Sequence, residues 1–252
     1  MKKFIKVLSL CLAMMFVLAC TASCGGQQEY IIATDTTFAP FEFTDANGKF
    51  VGIDVEILAA IAEDQGFKYK LNPLGFNAAV TALETSQADG VIAGMSITDV
   101  RKEKYNFSDP YYDSGVVMAI AATNNEIKSY DDLRGKKVAV KAGTEGQTFA
   151  ASIAEAKGFE MDVFQDSGTM YEAVKTGTCA ACFEDYPVMG YGISQGNGLK
   201  MVTDMEKGSS YGFAVLKGAG NDKLVEMFNE GLKNIKASGK YQQILDKYIA
   251  KN

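Results

Sequence analysis

The 252-residue chain contains no histidine and no tryptophan. The missing histidine excludes His-based triads, most catalytic zinc sites and the usual general base near neutral pH. Basic residues never gather beyond short pairs and the formal net charge is −6. A nucleic-acid partner is therefore not expected, because phosphate binding needs a concentrated positive face. Long apolar runs are scarce too. The one at Phe4 to Ala19, broken by Lys6 and Ser9, is too short and too soon ended for a stable membrane span. With the basic Met1-Lys2-Lys3 before it and small residues after it, it reads as a secretory signal over residues 1–23.

Cysteine is sparse as well, and its positions matter. In Ala19-Cys20-Thr21-Ala22-Ser23-Cys24-Gly25-Gly26, a cysteine after small residues resembles the lipobox of bacterial lipoproteins. Cys24 is the expected lipidated residue, with Cys20 as the alternative, and 24–29 is a linker. Beyond it only Cys179 and Cys182 remain. Such a pair invites a redox or metal reading. Here it sits in an apolar segment, Thr178 to Phe183, that reads as a buried strand. Residues three apart on a strand point to opposite faces, and no second pair completes a zinc site, so inert core thiols are expected. No metal or cofactor is called for.

What the chain does contain is an anion cradle. The short apolar strand Val91 to Ala93 ends at Gly94, Ser96 and Thr98 follow, and Arg101 falls in the first turn of a helix. Free backbone N–H groups, two hydroxyls and a planar guanidinium converge on one small anion. The first expectation is a receptor for something that carries a carboxylate.

The rest of the chain alternates strands and helices. Strands are expected at 30–34, 67–74, 91–93, 115–122, 138–141, 161–164, 179–183, 201–202 and 211–216. Helices are expected at 54–65, with Asp54 as its cap, at 77–87, after Gly146 through Phe149, Ile153 and Ala156 to Gly158, and at 171–175, 221–236 and 240–249. This rhythm argues for an α/β protein whose mostly parallel sheets are covered by helices on both faces. It runs through two blocks, so two lobes joined by two crossings are expected. Residues 30–112 with 213–252 form lobe 1 and 116–208 form lobe 2, with hinge segments near 113–115 and 209–212. Small-molecule sites favour such a cleft, at the carboxyl ends of strands.

Five segments in order carry a family likeness: Ala33 to Phe43 (ATDTTFAPFEF), Val51 to Glu56 (VGIDVE), Ala93 to Arg101 (AGMSITDVR), Phe107 to Tyr112 (FSDPYY) and Leu133 to Val140 (LRGKKVAV). The chain resembles the type II periplasmic-binding-protein family, in particular the polar amino-acid receptors of ABC importers, and most of all their glutamine-binding members. The resemblance spans residues 29–252. It implies a two-lobed fold and a monomeric, non-enzymatic receptor. Such a receptor is lipid-anchored at the outer face of the cytoplasmic membrane or periplasmic, and passes an amino acid to a membrane permease.

The resemblance also implies roles. Arg101 would hold the ligand's α-carboxylate, with Ser96 and the N–H groups of Ser96 and Glu145. Asp185 would take the α-ammonium with the Gly94 carbonyl and the Ser96 hydroxyl. Phe38 and Phe76 would sandwich the ligand side chain, Asp35 and Lys141 would address its polar end, and Ala93 and Thr144 complete the lining. Two positions depart from the glutamine-type pattern: Glu184 replaces a histidine, and Glu145 replaces the second glycine of a Gly-Thr-Gly loop. If Glu184 and Asp35 both face the pocket, a basic ligand (Lys, Arg or His) becomes the alternative. Lys141 opposes that, because an unscreened cation beside a cationic ligand costs free energy. A rival of another class is a dehydratase-type enzyme on the same fold, with Asp35, Glu184 or Asp185 as general acid.

Overall fold

In the computed structural model, which describes residues 28–249, period-two alternation divides the buried strands between separate cores. The signal segment, Cys20, Cys24 and most of the linker lie outside the described residues. β1 (Glu29–Thr34) leads into a small antiparallel sheet of β2 (Thr37–Phe38), β3 (Glu42–Thr44) and β4 (Phe50–Val51). Then follow α1 (Ile53–Gln65), β5 (Lys68–Pro73), α2 (Phe76–Glu84), β6 (Gly90–Val91), α3 (Asp99–Lys104) and β7 (Tyr105–Phe107). β8 (Tyr112–Ala121) carries the chain into a second sheet, built with β9 (Lys137–Lys141), α4 (Glu145–Lys157), β10 (Glu160–Phe164), α5 (Ser167–Lys175), β11 (Ala181–Asp185), α6 (Tyr186–Ser194) and β12 (Leu199–Met201). β13 (Glu206–Tyr211) returns, β14 (Ala214–Leu216) rejoins the first sheet, and α7 (Asp222–Ala237) and α8 (Lys240–Tyr248) pack against α1.

The first sheet has the order β5-β1-β6-β14-β7 and the second β10-β9-β11-β8-β12, with β13 also on β8. The parallel expectation holds for β5-β1-β6 and for β10-β9-β11. β8, which enters the second sheet, and β14, which rejoins the first, run antiparallel to their neighbours, so both sheets are mixed. The crossings themselves pair as a ribbon, with Ser209 opposite Ser114, Ser210 opposite Asp113 and Tyr211 opposite Tyr112. A strand over 206–211 was not expected, because Glu-Lys-Gly-Ser-Ser has no apolar alternation. Its partner strand, not its own side chains, makes it extended.

Along β8, Val116, Met118 and Ile120 enter one core while Val117 and Ala119 enter another. β9 and β11 divide the same way, Val138 and Val140 from Ala139, and Phe183 from Cys182. Helices α4 on one face and α5 and α6 on the other cover that sheet. In the first lobe, Ile32 faces α1 and α7, while Ala33 faces α2. Each buried strand thus needs apolar residues at every position, which explains the continuous apolar runs in the sequence. Cys179 and Cys182 are buried free thiols. β11 begins two residues later than expected, which places Glu184 and Asp185 at its carboxyl end.

Asp54 does not cap α1. The cap position is Gly52, with φ 142° and no side-chain bond, and Asp54 lies one residue inside the helix and fully buried. A Cβ on Gly52 would stand 2.0 Å from the Phe41 carbonyl oxygen, so only glycine brings these backbones together.

The return of the chain to lobe 1 rests on Phe213 stacked on Phe228, with centroids 4.9 Å apart and planes 7° from parallel. Both rings are 1% exposed. Phe228→Ala should lower unfolding free energy by about 3–5 kcal/mol in urea titration. A loss under about 1 kcal/mol would show that the closing helices do not anchor this core.

Candidate functional site

Between the lobes lies a nearly filled cavity of about 10 Å³, bounded by Phe38, Phe76, Ala93, Gly94, Ser96 and Arg101 from one side and Lys141, Thr144, Glu145 and Asp185 from the other. Asp35 directly follows β1, Ala93 lies just beyond β6, and Lys141 and Asp185 end β9 and β11. These are carboxyl ends of parallel-paired strands, where an α/β sheet opens its crevice.

Arg101 lies on α3, whose cap Thr98 accepts the Arg101 N–H at 3.2 Å. Its Nη1 donates to the Ser96 carbonyl at 2.9 Å and its Nη2 to the Gly143 carbonyl, on the opposite lobe, at 3.0 Å. The Glu145 carboxylate stands 3.8 Å from Nη2, and the guanidinium lies 5.4 Å from the Phe76 ring centre. Burial works against the cation and lowers its pKa, opposed first by Glu145 and then by Asp185.

At the other end, Lys141 Nζ donates to Asp35 Oδ2 at 2.8 Å and to Ser167 Oγ at 3.1 Å. The ammonium also lies 4.3 Å from the Phe38 ring centre. The lysine is 1% exposed and Asp35 0%. Burial disfavours the ammonium, but the Asp35 and Glu184 carboxylates outweigh it and raise the Lys141 pKa above its usual value. Lys141 is therefore a fixed cation, and Asp35 is its counterion. Phe38 and Phe76 each lie beneath a cation at opposite ends of the cavity.

Asp185 sits in the cap position of α6 but makes no cap bond. Its Oδ2 accepts the Tyr211 hydroxyl at 2.6 Å. Burial, then the Glu184 charge, pushes Asp185 up to about 7, against the Tyr211 bond and the Lys141 and Arg101 cations. Glu184 does not line the cavity. Its carboxylate is taken up by the Ser167 hydroxyl at 3.0 Å, the Tyr171 hydroxyl at 2.8 Å and the Asp185 N–H at 3.0 Å. Asp35 and Glu184 thus lie behind the cavity wall while the other ten expected residues form it.

Three contributors were not foreseen. Tyr211 lies on the return crossing and touches Asp185 only after folding. Gly143 acts through its carbonyl, which carries no side-chain signal. The third is a pair of buried carboxyls, Glu42 and Asp54. Asp54 Oδ2 accepts the Gly94 N–H at 2.8 Å and the Tyr111 hydroxyl at 2.7 Å. Both Glu42 oxygens and Asp54 Oδ1 have no donor among the described residues. Burial, and then the Asp54 and Asp35 charges, holds Glu42 well above the carboxylate range. Burial raises Asp54 itself to about 6. Gly94, with φ 52°, also carries the Phe38 ring, where a Cβ would meet Cε1 at 2.2 Å.

Residues 30–251 match the model of the bacterial extracellular solute-binding proteins, family 3. The chain belongs to that family. It is 30% identical to an arginine-binding periplasmic protein of Mannheimia haemolytica, over 88% of this chain and 92% of that one. It is 42% identical to substrate-binding domain 2 of Lactococcus lactis GlnP, solved in an open conformation, with TM-score 0.61 and coverage of 90% and 97%. An ancestral arginine-binding protein is 35% identical, with TM-score 0.81 and coverage of 88% and 98%, whether bound to arginine or to glutamine. This solute-binding protein overlays better on the ligand-bound ancestor than on the open domain that is nearer in sequence. Arg101 bonded to Gly143 and Lys141 bonded to Asp35 bridge the cleft.

The raised Asp185 pKa sets a pH dependence. An ordinary aspartate titrates near 3.9 in an unfolded chain. The folded protein therefore binds more protons between about pH 4 and 7, and its stability from this group is complete below about 4 and lost as pH rises through about 7. Without added amino acid, Tm should climb as pH falls from 8 to 5, and Asp185→Asn should flatten part of that climb. A cationic group that must meet the Asp185 carboxylate should bind up to tenfold more weakly per pH unit below about 7. A Tm profile identical in wild type and Asp185→Asn would contradict the assignment.

Proposed function

We propose that this protein captures a free polar L-amino acid, glutamine by preference, between its lobes and delivers it to an ABC permease in the membrane. The lobes are 30–112 with 213–252 and 116–208, moving about 113–115 and 209–212, and lipid on Cys24 holds the protein at the outer face of the membrane. The observation that carries this reading is one cavity with a buried guanidinium at one end, a buried carboxyl beside it and a paired ammonium at the other. Arg101 takes the α-carboxylate, and Asp185 the α-ammonium. Closure strips water from both charges, so each must find its partner or binding fails.

The far end favours a neutral side chain. Lys141 points a fixed positive charge at it, and Asp35 and Glu184, the acids that could receive a guanidinium, are already bonded. An amide oxygen can accept from the ammonium, while a second cation there costs free energy. The family relatives named for arginine keep a basic ligand as the second reading.

A thermal-shift screen of the twenty amino acids tests the class. Ligand at about 100 times Kd should add about 2.7 kcal/mol of stability, and no shift with any of them sinks the proposal. Arg101→Ala should cost about 2–5 kcal/mol, or roughly 30-fold to several-thousand-fold in Kd by calorimetry. Lys141→Met should weaken glutamine and improve arginine relative to it, because Asp35 is then left as an unpaired acid. Tighter arginine than glutamine binding in the wild type would reverse the ligand assignment.

A further inference from the structure

Arg101 has two carboxylates within its field on the second lobe, and the ammonium clamp uses only one of them. Asp185 is committed to Tyr211. Glu145 is the other: the first residue of α4, with its side chain 17% exposed and one oxygen 3.8 Å from Arg101 Nη2. Arg101 is its one ion-pair partner among the described residues. The Arg101 side chain is itself 12% exposed, so this pair is poorly screened by solvent and salt. At 3.8 Å the contact is an ion pair without a hydrogen bond. It therefore holds the cation without saturating its five donors, two of which go to the Ser96 and Gly143 carbonyls.

We infer that the Glu145 side chain is an internal carboxylate that competes with the ligand's α-carboxylate for Arg101 and so tunes the affinity of the cleft. The inference rests on the reading that Arg101 receives that carboxylate. An arriving amino acid must bring its anion to a guanidinium already shared with Glu145, and two carboxylates at one cation repel each other. Glu145 and Arg101 also come from opposite lobes, so their attraction favours closure before any ligand arrives. Binding then begins from a smaller open population, which lowers apparent affinity by that fraction. Both effects have the same sign. Glu145 and then Asp185 act most strongly on the guanidinium, with Tyr105 a weaker influence. The backbone N–H of residue 145 keeps its place at the start of α4 whatever the side chain, so charge and backbone roles can be separated.

Calorimetric titration of L-glutamine and L-arginine into wild type, Glu145→Gln, Arg101→Ala and the double variant tests this. Glu145→Gln should tighten the amino acid that binds by on the order of tenfold, and the gain should vanish in the Arg101→Ala background. Small-angle scattering of Glu145→Gln without amino acid should show a larger radius of gyration than wild type, which a merely structural role would not produce. Glu145→Ala provides a second variant should glutamine disturb folding, with circular dichroism as the check. Unchanged or weaker binding by Glu145→Gln and Glu145→Ala, beside a crippled Arg101→Ala, overturns the competition and leaves the Arg101 clamp intact. Normal binding by Arg101→Ala removes the clamp itself.

Discussion

A lysine ammonium cannot be buried without an anion, and in this fold the anion comes from the other lobe. Lys141 ends a strand of the second sheet and Asp35 follows a strand of the first, and their contact at 2.8 Å is sealed from solvent. Breaking it by opening the cleft exposes both charges to water, which relieves their desolvation and forfeits their attraction. Such exchanges run close to balance. On the proposed hinge motion, the pair fixes the geometry of the closed state without making that state irreversible. Ser167, bonded to Lys141 and to Glu184, ties the same cation to the second lobe's own acid. The position of the ammonium is set from three directions.

The loop that faces Lys141 needs equal support from below. Gly94 turns there with a positive φ and carries the Phe38 ring, so its N–H points inward and must be bonded. Asp54 meets it, and Tyr111 shares the same oxygen. A buried aspartate without donors would be costly, and these two bonds supply them. One acid and one tyrosine hydroxyl therefore hold the backbone turn, with Glu42 buried in the field of that acid. The arrangement places negative potential behind the first lobe's wall, close to Asp35 and within the field of Lys141. That potential raises the cost of removing the lysine charge and helps to keep it an ammonium.

The legible part of the site was local. Asp185 and Lys141 stand at the ends of apolar strands, where period-two burial stops and a polar residue must face the crevice, Arg101 stands on the short helix that follows one, and their type names their chemistry. Both cores were legible for the same reason, because doubly covered strands show as unbroken apolar runs. Three things were hidden by distance along the chain. Asp54 reads as a helix cap because its partners, Gly94 and Tyr111, lie 40 and 57 residues away. Tyr211 sits in a polar crossing that becomes a strand only by pairing with β8. Gly143 contributes a carbonyl, which every residue has. The antiparallel strands at the crossings were hidden likewise, since the direction of a strand depends on where the chain goes next.

The same distinction decides how charge becomes selectivity. Counting residue types, the far end of the cavity offers two acids and one base, a composition suited to a cationic ligand. Counting unfilled bonds reverses that. Glu184 is spent on Ser167, Tyr171 and its own neighbour's N–H, and Asp35 is spent on Lys141. What remains facing the cavity is the ammonium, over the Phe38 ring. A ligand meets the charges that are left over after folding, not those written in the chain. Without the lysine at this strand end, the same acids would face the cavity unpaired, and the charge presented to a ligand would change sign.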